Sequence, residues 1–229
     1  MYADDLVLMA PTRDAMQAML AVCERYGRDN NISYSTDPDP KKSKTKCVYM
    51  CGNMTSRKYP APVQLNGRDL PFVPNATHLG HELTQACTME LDCKMKRANY
   101  IDRTVNIRET FAFAEPEQIL QAVEKYCCDY YGAVLWPLDS HKAGQYFRCW
   151  STCVKLVYDV PRATHTYFVD NLLAANFLSS RQQIISRYVK FVSGLLSSPS
   201  EEANIVSHDM GSTIGRNMAM IRRETGLNP

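Results

Sequence analysis

The sequence has no long apolar run. Nowhere do about eighteen apolar residues stand together, the length a membrane-spanning helix requires, so no transmembrane segment is expected. No basic stretch followed by an apolar one opens the chain, and secretion is therefore not expected. Cys-x-x-Cys and His-x₃₋₅-His spacings are both missing, which argues against a zinc site. The nine cysteines are read instead as buried, reduced thiols of an intracellular protein, nuclear or cytoplasmic, with Cys23, Cys149 and Cys153 on apolar helix faces. No internal repeat is present. A net charge of +2 does not mark a nucleic-acid-binding protein, but charge of one sign is missing locally. From Lys41 to Arg68 there is no acid, while Lys41, Lys42, Lys44, Lys46, Arg57, Lys58 and Arg68 are all basic. Residues 1–40 carry Asp4, Asp5, Asp14, Glu24, Asp29, Asp37 and Asp39 against three arginines. An acidic cluster beside a basic strip suits a polyanionic substrate; a solvated face is the plainer alternative.

What is present begins at the first residues, Met1-Tyr2-Ala3-Asp4-Asp5, followed by Leu6-Val7-Leu8-Met9-Ala10. The apolar run has the length of a buried strand. Asp-Asp disfavours a strand and favours a turn. Two carboxylates at the head of a core strand are costly unless solvated or paired with a cation. Hard oxygen ligands suit Mg²⁺, which binds carboxylates together with substrate phosphates. That arrangement serves two-metal phosphoryl and nucleotidyl transfer.

Further along, Thr12 is placed to cap a helix whose apolar face is Met16, Met19, Leu20 and Cys23, with Gly27 as its stop. Short strands are expected at Ile32–Ser35, Lys46–Met50 and His78–Leu83, and a hairpin about Asn66-Gly67, where both positions tolerate positive φ. From Thr88 onward the periodicity becomes helical. The stripes are Leu91, Met95, Ala98, Ile101, Val105; then Ile119, Leu120, Val123, Cys127, Tyr130 behind Pro116; then Tyr146, Phe147, Trp150, Val154, Val157. A shorter stripe joins Phe168 to Leu172, and a last one runs through Ile184, Ile185, Tyr188, Val189, Val192, Leu195 and Leu196. The fold class is α+β: short antiparallel strands plus one helix over residues 1–85, an all-helical part over 86–196, and a linker with a weakly helical tail over 197–229.

Several candidates carry chemistry. Lys42 and Lys44, between two expected strands, could hold a triphosphate or protonate a leaving pyrophosphate, or form an exposed cluster. Gly80 could let a backbone approach a nucleic-acid end closely, or mark a bulge. His78 and His81 read better as ordinary surface histidines than as ligands. Tyr130 to Trp136 could stack on bases, though a core-packed helix end fits better. Arg97, Arg103 and Arg108 could contact phosphates or pair with neighbouring acids.

Taken in order, these segments resemble the reverse transcriptases of non-LTR (LINE-type) retrotransposons. Tyr2-Ala3-Asp4-Asp5-Leu6-Val7-Leu8 resembles the active-site hairpin. The stretch from Ser35 through Asp37-Pro38-Asp39-Pro40 to Lys44 resembles the next palm segment, and Asn75-Ala76-Thr77-His78-Leu79-Gly80-His81 the primer grip. Tyr131-Gly132 through Trp136, and Val160 through Thr164, resemble the helical thumb and connection. The resemblance implies the end of a palm to about residue 85 and then a thumb. It implies Mg²⁺-dependent transfer of a nucleotide from a dNTP to a primer 3′-hydroxyl, with an RNA template and a DNA primer as partners. It makes Asp4 and Asp5 catalytic metal ligands, Lys42 the triphosphate-side lysine with Lys44 beside it, and gives Tyr2 and Gly80 contacts to primer and template. The family's third carboxylate and its fingers lie upstream of this hairpin. The 229 residues alone are therefore expected to be inactive. A non-catalytic helical binding module and a degenerate transposon remnant are the alternatives.

Overall fold

Asn66 and Gly67 both have positive φ, 55° and 71°, in the computed structural model, which describes residues 5–37, 39, 41–51, 59–173, 177–209 and 211–226. Two such residues in succession form the turn whose twist matches an antiparallel pair. Strands β1 (Gln64–Leu65) and β2 (Arg68–Asp69) pair across it, Gln64 with Asp69 and Leu65 with Arg68. A second hairpin joins β3 (Asn75–His78) to β4 (His81–Thr84), so that His78 faces His81. Its turn is Leu79-Gly80, with φ of 46° and 75°. The continuous strand expected across Gly80 is thus a reversal. Glu82 bridges to the neighbouring strand, accepting from Asn75 Nδ2 at 2.9 Å and Thr77 Oγ1 at 2.6 Å. Left-handed backbone at a leucine costs about 1–2 kcal/mol, which the clamped strands hold in place.

Both hairpins belong to a compact unit, Met1–Thr88, and a second unit spans Met89–Pro229. In the first, helix α1 (Arg13–Asp29) starts where the Thr12 hydroxyl accepts from Ala15 N at 3.2 Å. Leu20 on α1 packs with Val63, Leu65 and Leu70 of the first hairpin, and Leu8, Met16, Tyr34 and Cys47 edge this small core. Gln17 fixes the register. Its side-chain amide accepts from Gln64 N at 2.8 Å and donates to Gln64 O at 2.9 Å, as a neighbouring strand would. Glu24 accepts from Asn66 N at the turn.

Four expectations for this unit are corrected. Residues 6–10 form no buried strand: Leu6, Val7 and Met9 are 46, 44 and 82% exposed, for lack of a paired neighbour among the described residues. Ile32–Ser35 forms no strand with any described residue, and among the described residues Lys46–Met50 contributes only a parallel bridge from Cys47 to Phe72. Gly27 does not stop α1. It is buried within the helix, where an added Cβ would lie 2.8 Å from Ile32 O and 3.0 Å from Tyr34 Cε2. The glycine is required by close approach rather than by a cap.

The second unit contains helices α2 (Glu90–Thr110), α3 (Pro116–Tyr126), α4 (His141–Val157), α5 (Thr166–Leu173), α6 (Ser180–Leu196), α7 (Glu201–His208) and α8 (Thr213–Thr225). A 3₁₀ turn lies at Ala133–Leu135. Pro116 occupies the first turn of α3, where its missing N–H is not needed. A capping box of Ser179 and Gln182 opens α6. The stripes predicted on α3 and α4 form one core: Ile119, Leu120, Val123, Tyr146, Trp150, Val154 and Val157 are all buried, together with Ile184, Tyr188 and Val192 of α6. Trp136 lies at its centre, fully buried, its ring 4.9 Å from that of Tyr146 in an edge-to-face pair.

On α2 the expected stripe holds only in part: Leu91, Ile101 and Val105 are half-buried and Ile101 packs against the core, but the middle of the stripe is not. Met95 is 46% exposed and Ala98 is exposed. The buried face is Asp92, Cys93, Lys96, Tyr100 and Thr104. Asp92 and Lys96 form a buried i, i+4 ion pair at 3.4 Å. Asp92 also accepts from Trp136 Nε1 at 2.7 Å, and Lys96 donates to Tyr131 O at 2.5 Å. A buried charge must be paired and hydrogen-bonded, and here both are. Apolar periodicity misses this face because it carries charge.

The segment after residue 196 is no detached tail. Ile214, Met218 and Ile221 of α8 enter the core, and Tyr188 donates to Ile214 O. Asn217 is 1% exposed and takes both sides of the Trp136 loop, donating to Trp136 O at 2.7 Å and accepting from Leu138 N at 2.9 Å. The described chain is therefore α+β, predominantly helical with two short antiparallel sheets. No described helix is long and apolar enough to cross a membrane.

Candidate functional site

Tyr2 and Asp4 lie outside the described residues. Asp5 is exposed at the head of segment 6–10, in which Leu6, Val7 and Met9 are exposed and Leu8 and Ala10 half-buried. Among the described residues no group of three or more His, Cys, Asp or Glu side chains could hold a metal ion. The Mg²⁺ ligation expected of Asp4 and Asp5 accordingly has only Asp5 within view.

Lys42 and Lys44 are exposed on a loop held by its own backbone and by three short polar side chains. Asp37 Oδ1 accepts from Asp39 N at 2.8 Å, and Asp39 Oδ1 from Lys41 N at 2.9 Å. Asp39 O takes Lys42 N at 3.0 Å and Ser43 N at 2.9 Å. Ser43 is buried between the lysines and donates to Thr45 O at 2.6 Å. Asp and Ser form such turns readily because their side chains bond backbone two residues away. Arg68 joins the loop to the first hairpin, donating to Thr36 O at 3.1 Å. The loop's shape thus does not depend on Lys42 or Lys44, whose amines face solvent. Of the other basic residues in the acid-free strip, Arg57 and Lys58 lie outside the described residues. Gly80 is exposed at its turn, and no described contact joins it to Asp5, Lys42 or Lys44.

In the helical unit, Tyr130, Ala133 and Trp136 are buried, whereas Tyr131 is 59% and Leu135 43% exposed. The aromatic run is therefore mainly core, as its packing reading expects, with Tyr131 at the surface over Lys96, 5.8 Å from ring centre to amine. Lys155, on α4, reaches the Val160–Thr164 segment and donates to Arg162 O at 3.2 Å and to Thr164 O. A nearly buried lysine whose donors are taken by backbone carbonyls fixes a loop. Arg108 pairs with Asp159 at 3.2 Å, outside its own helix.

All nine cysteines are free thiols. Burial pushes Cys93 up to about 12 and Cys128 up to about 11, and it raises Cys47 and Cys127 as well. Cys153 is raised, first by its hydrogen bond with Cys149 at 3.9 Å and then by burial. A nucleophilic cysteine needs a lowered value, so the five thiols raised here are packing groups, whereas Cys87 is exposed and departs from the expectation of burial. Burial likewise raises Tyr100, Tyr130, Tyr146 and Tyr188.

Two surface features escape sequence reasoning. An apolar cleft of about 330 Å³ is lined by Phe111, Phe113, Ala114, Gln118, Ile119 and Ala122. An open polar cleft of about 400 Å³ is lined by Glu124, Leu178, Gln183, Ser186, Arg187 and Lys190. The second has a sequence signal: positions 183, 186, 187 and 190 recur at i, i+3, i+4, i+7 on the polar side of α6. Attention to the apolar stripe on that helix passes over it. Comparison of the chain with protein-family profiles, curated proteins and solved structures gives no match.

Proposed function

We propose that these residues are the end of the palm and the thumb of an RNA-directed DNA polymerase of the non-LTR retrotransposon type. The parent reaction is attack of a primer 3′-hydroxyl on the α-phosphorus of a dNTP, with pyrophosphate leaving and Mg²⁺ bound by Asp4 and Asp5. The observation that carries the reading is serial order: Tyr2-Ala3-Asp4-Asp5, the Asp37–Lys44 segment, Asn75–His81, Tyr131–Trp136 and Val160–Thr164 follow one another as the family's segments do. Two structural features support it. Lys42 and Lys44 are displayed on a loop whose shape does not depend on them, and Gly80 sits at an exposed turn that a nucleic-acid backbone can approach.

Primer extension on an RNA template and binding of an RNA–DNA hybrid test the proposal together. The 229 residues alone are expected to show no extension, because catalysis needs a third carboxylate and fingers. They are expected to bind the hybrid with an affinity that falls steeply with salt. Lys42→Gln with Lys44→Gln should weaken that binding. The self-contained core of residues 89–229 favours a second reading, a helical nucleic-acid- or partner-binding module. Hybrid binding untouched by the two lysine substitutions would select it, and absence of hybrid binding would remove the polymerase reading.

A further inference from the structure

We infer that the open cleft on α6 is a binding site for a phosphate group, with Arg187 and Lys190 as its cationic ligands. The cleft of about 400 Å³ is lined on one side by Gln183, Ser186, Arg187 and Lys190, and on the other by Glu124 and Leu178. Arg187 is held rather than free. Its guanidinium lies over the Tyr130 ring at 5.2 Å from the centroid, and that ring is itself 4% exposed and anchored by its hydroxyl to Ser180 Oγ at 3.2 Å. This cation–π contact holds the guanidinium at the cleft and leaves its N–H groups to a ligand. Among the described residues no carboxylate pairs with Arg187 or Lys190, and no hydrogen bond occupies Ser186. Glu124, the acid among the lining residues, accepts from Gln183 Nε2 at 3.1 Å and forms no ion pair with Arg187 or Lys190. Gln183 in turn donates to Leu178 O at 2.9 Å, which fixes the far wall.

Two cations one helical turn apart that pair with no described carboxylate, one held against an aromatic ring, with the Ser186 hydroxyl in the same lining, match the oxygens of a phosphate. A planar fork takes two oxygens side by side, and an ammonium adds a point charge. The cleft is open rather than enclosed, so the phosphate can arrive on a chain. Both a polynucleotide backbone and free phosphate have this chemistry. The inference does not rest on the polymerase reading, whose candidate site residues Asp5, Lys42, Lys44 and Gly80 lie in the other unit.

The test uses the whole 229-residue chain, isotopically labelled, titrated with inorganic phosphate and separately with a single-stranded oligoribonucleotide. The Arg187 Nε resonance and the backbone amides of residues 183–190 are followed in both. Saturable shifts confined to these residues are expected with both ligands. Lys190→Gln should reduce oligonucleotide affinity about tenfold and lower the slope of log affinity against log salt by about one, as loss of one phosphate contact does. Arg187→Lys keeps the charge but loses the fork, and should weaken binding too; α6 amide shifts elsewhere show whether either variant remains folded. Response to oligonucleotide alone identifies a backbone site, and response to both identifies a general phosphate site. Absence of response to either ligand, or equal binding by wild type and both variants, overturns the inference. Absence of any phosphate or oligonucleotide response at residues 183–190, with hybrid binding intact, rejects this site and leaves the polymerase reading standing. Phosphate shifts at Arg187 without any hybrid binding would do the reverse.

Discussion

The two units are built on unequal cores. Among the described residues, the buried cluster in Met1–Thr88 is four side chains, Leu20, Val63, Leu65 and Leu70; in Met89–Pro229 it is twenty-four, among them Trp136, Trp150, Tyr100, Tyr146 and Tyr188. Each buried aliphatic side chain contributes about 1.5–3 kcal/mol, so the first unit has little reserve. It compensates with polar devices that set geometry more than stability: the Gln17 amide against Gln64, the Glu24 cap on the Asn66 turn, and the Asp37–Asp39–Ser43 chain. The residues that carry the proposed chemistry, Asp5, Lys42, Lys44 and Gly80, all sit on this lightly held part. Elements that contact ligands are commonly drawn from the low-stability end of a structure.

The comparison can be broken by attacking the stronger core. Trp136→Ala should cost about 3–5 kcal/mol from lost burial alone, and it also leaves Asp92 without its indole donor. Both tryptophans of the chain, Trp136 and Trp150, lie in the helical unit, so fluorescence of the remaining Trp150 during urea unfolding reads this unit alone. An unchanged midpoint would remove Trp136 from the centre of the account. Asn217→Ala should cost about 1–3 kcal/mol by the same measurement, since Trp136 O and Leu138 N lose their buried partner. A neutral result would mean that α8 is not part of the core.

Gly27→Ala sharpens the other side. Alanine inside a helix normally stabilises by about 1 kcal/mol. Here the new Cβ meets Ile32 O at 2.8 Å, so a loss of about 1–3 kcal/mol is expected, confined to the N-terminal unit. Amide shifts in α1 and the first hairpin check it, and a gain in stability would show the approach to be looser. The smallest effect is on pH. Cys93 and Cys128 have folded values of about 12 and about 11, above the ordinary 9.0. A raised thiol stabilises the fold fully below pH 9 and loses that contribution as pH climbs through the folded values. The urea midpoint read by tryptophan should therefore fall between pH 9 and 11. A midpoint that rises over that range would contradict the burial of these thiols.

Much of the helical unit is legible because apolar spacing and burial agree on α3, α4 and α6. Thr12, Pro116 and Asn66-Gly67 are legible for a related reason: each acts through local backbone chemistry, which needs no knowledge of the fold. The misreadings share a cause in tertiary context. On α2 the inward face includes an ion pair whose neutralising partners, Trp136 and Tyr131, lie about forty residues away. Gly27 serves contact with Ile32 and Tyr34, not a cap. Leu6–Ala10 has the composition of a core strand but no described neighbour to pair with. Of the candidate site, the exposure of Lys42 and Lys44 follows from the turn residues around them. The cleft at Arg187 does not, because its order depends on the Tyr130 ring beneath it.

The central claim is that the proposed nucleic-acid contacts at Lys42, Lys44 and Gly80 belong to a lightly stabilised unit, and that the helical unit is the more strongly stabilised. Amide hydrogen exchange of the 229-residue chain, with and without an RNA–DNA hybrid, tests it most directly. Without hybrid, α1 and both hairpins should exchange much faster than α2, α4 and α6. With hybrid, exchange should slow across residues 36–51 and 75–84, while α2 and α4 change little. Equal protection in both units, with no slowing of those segments by the hybrid, would contradict the account.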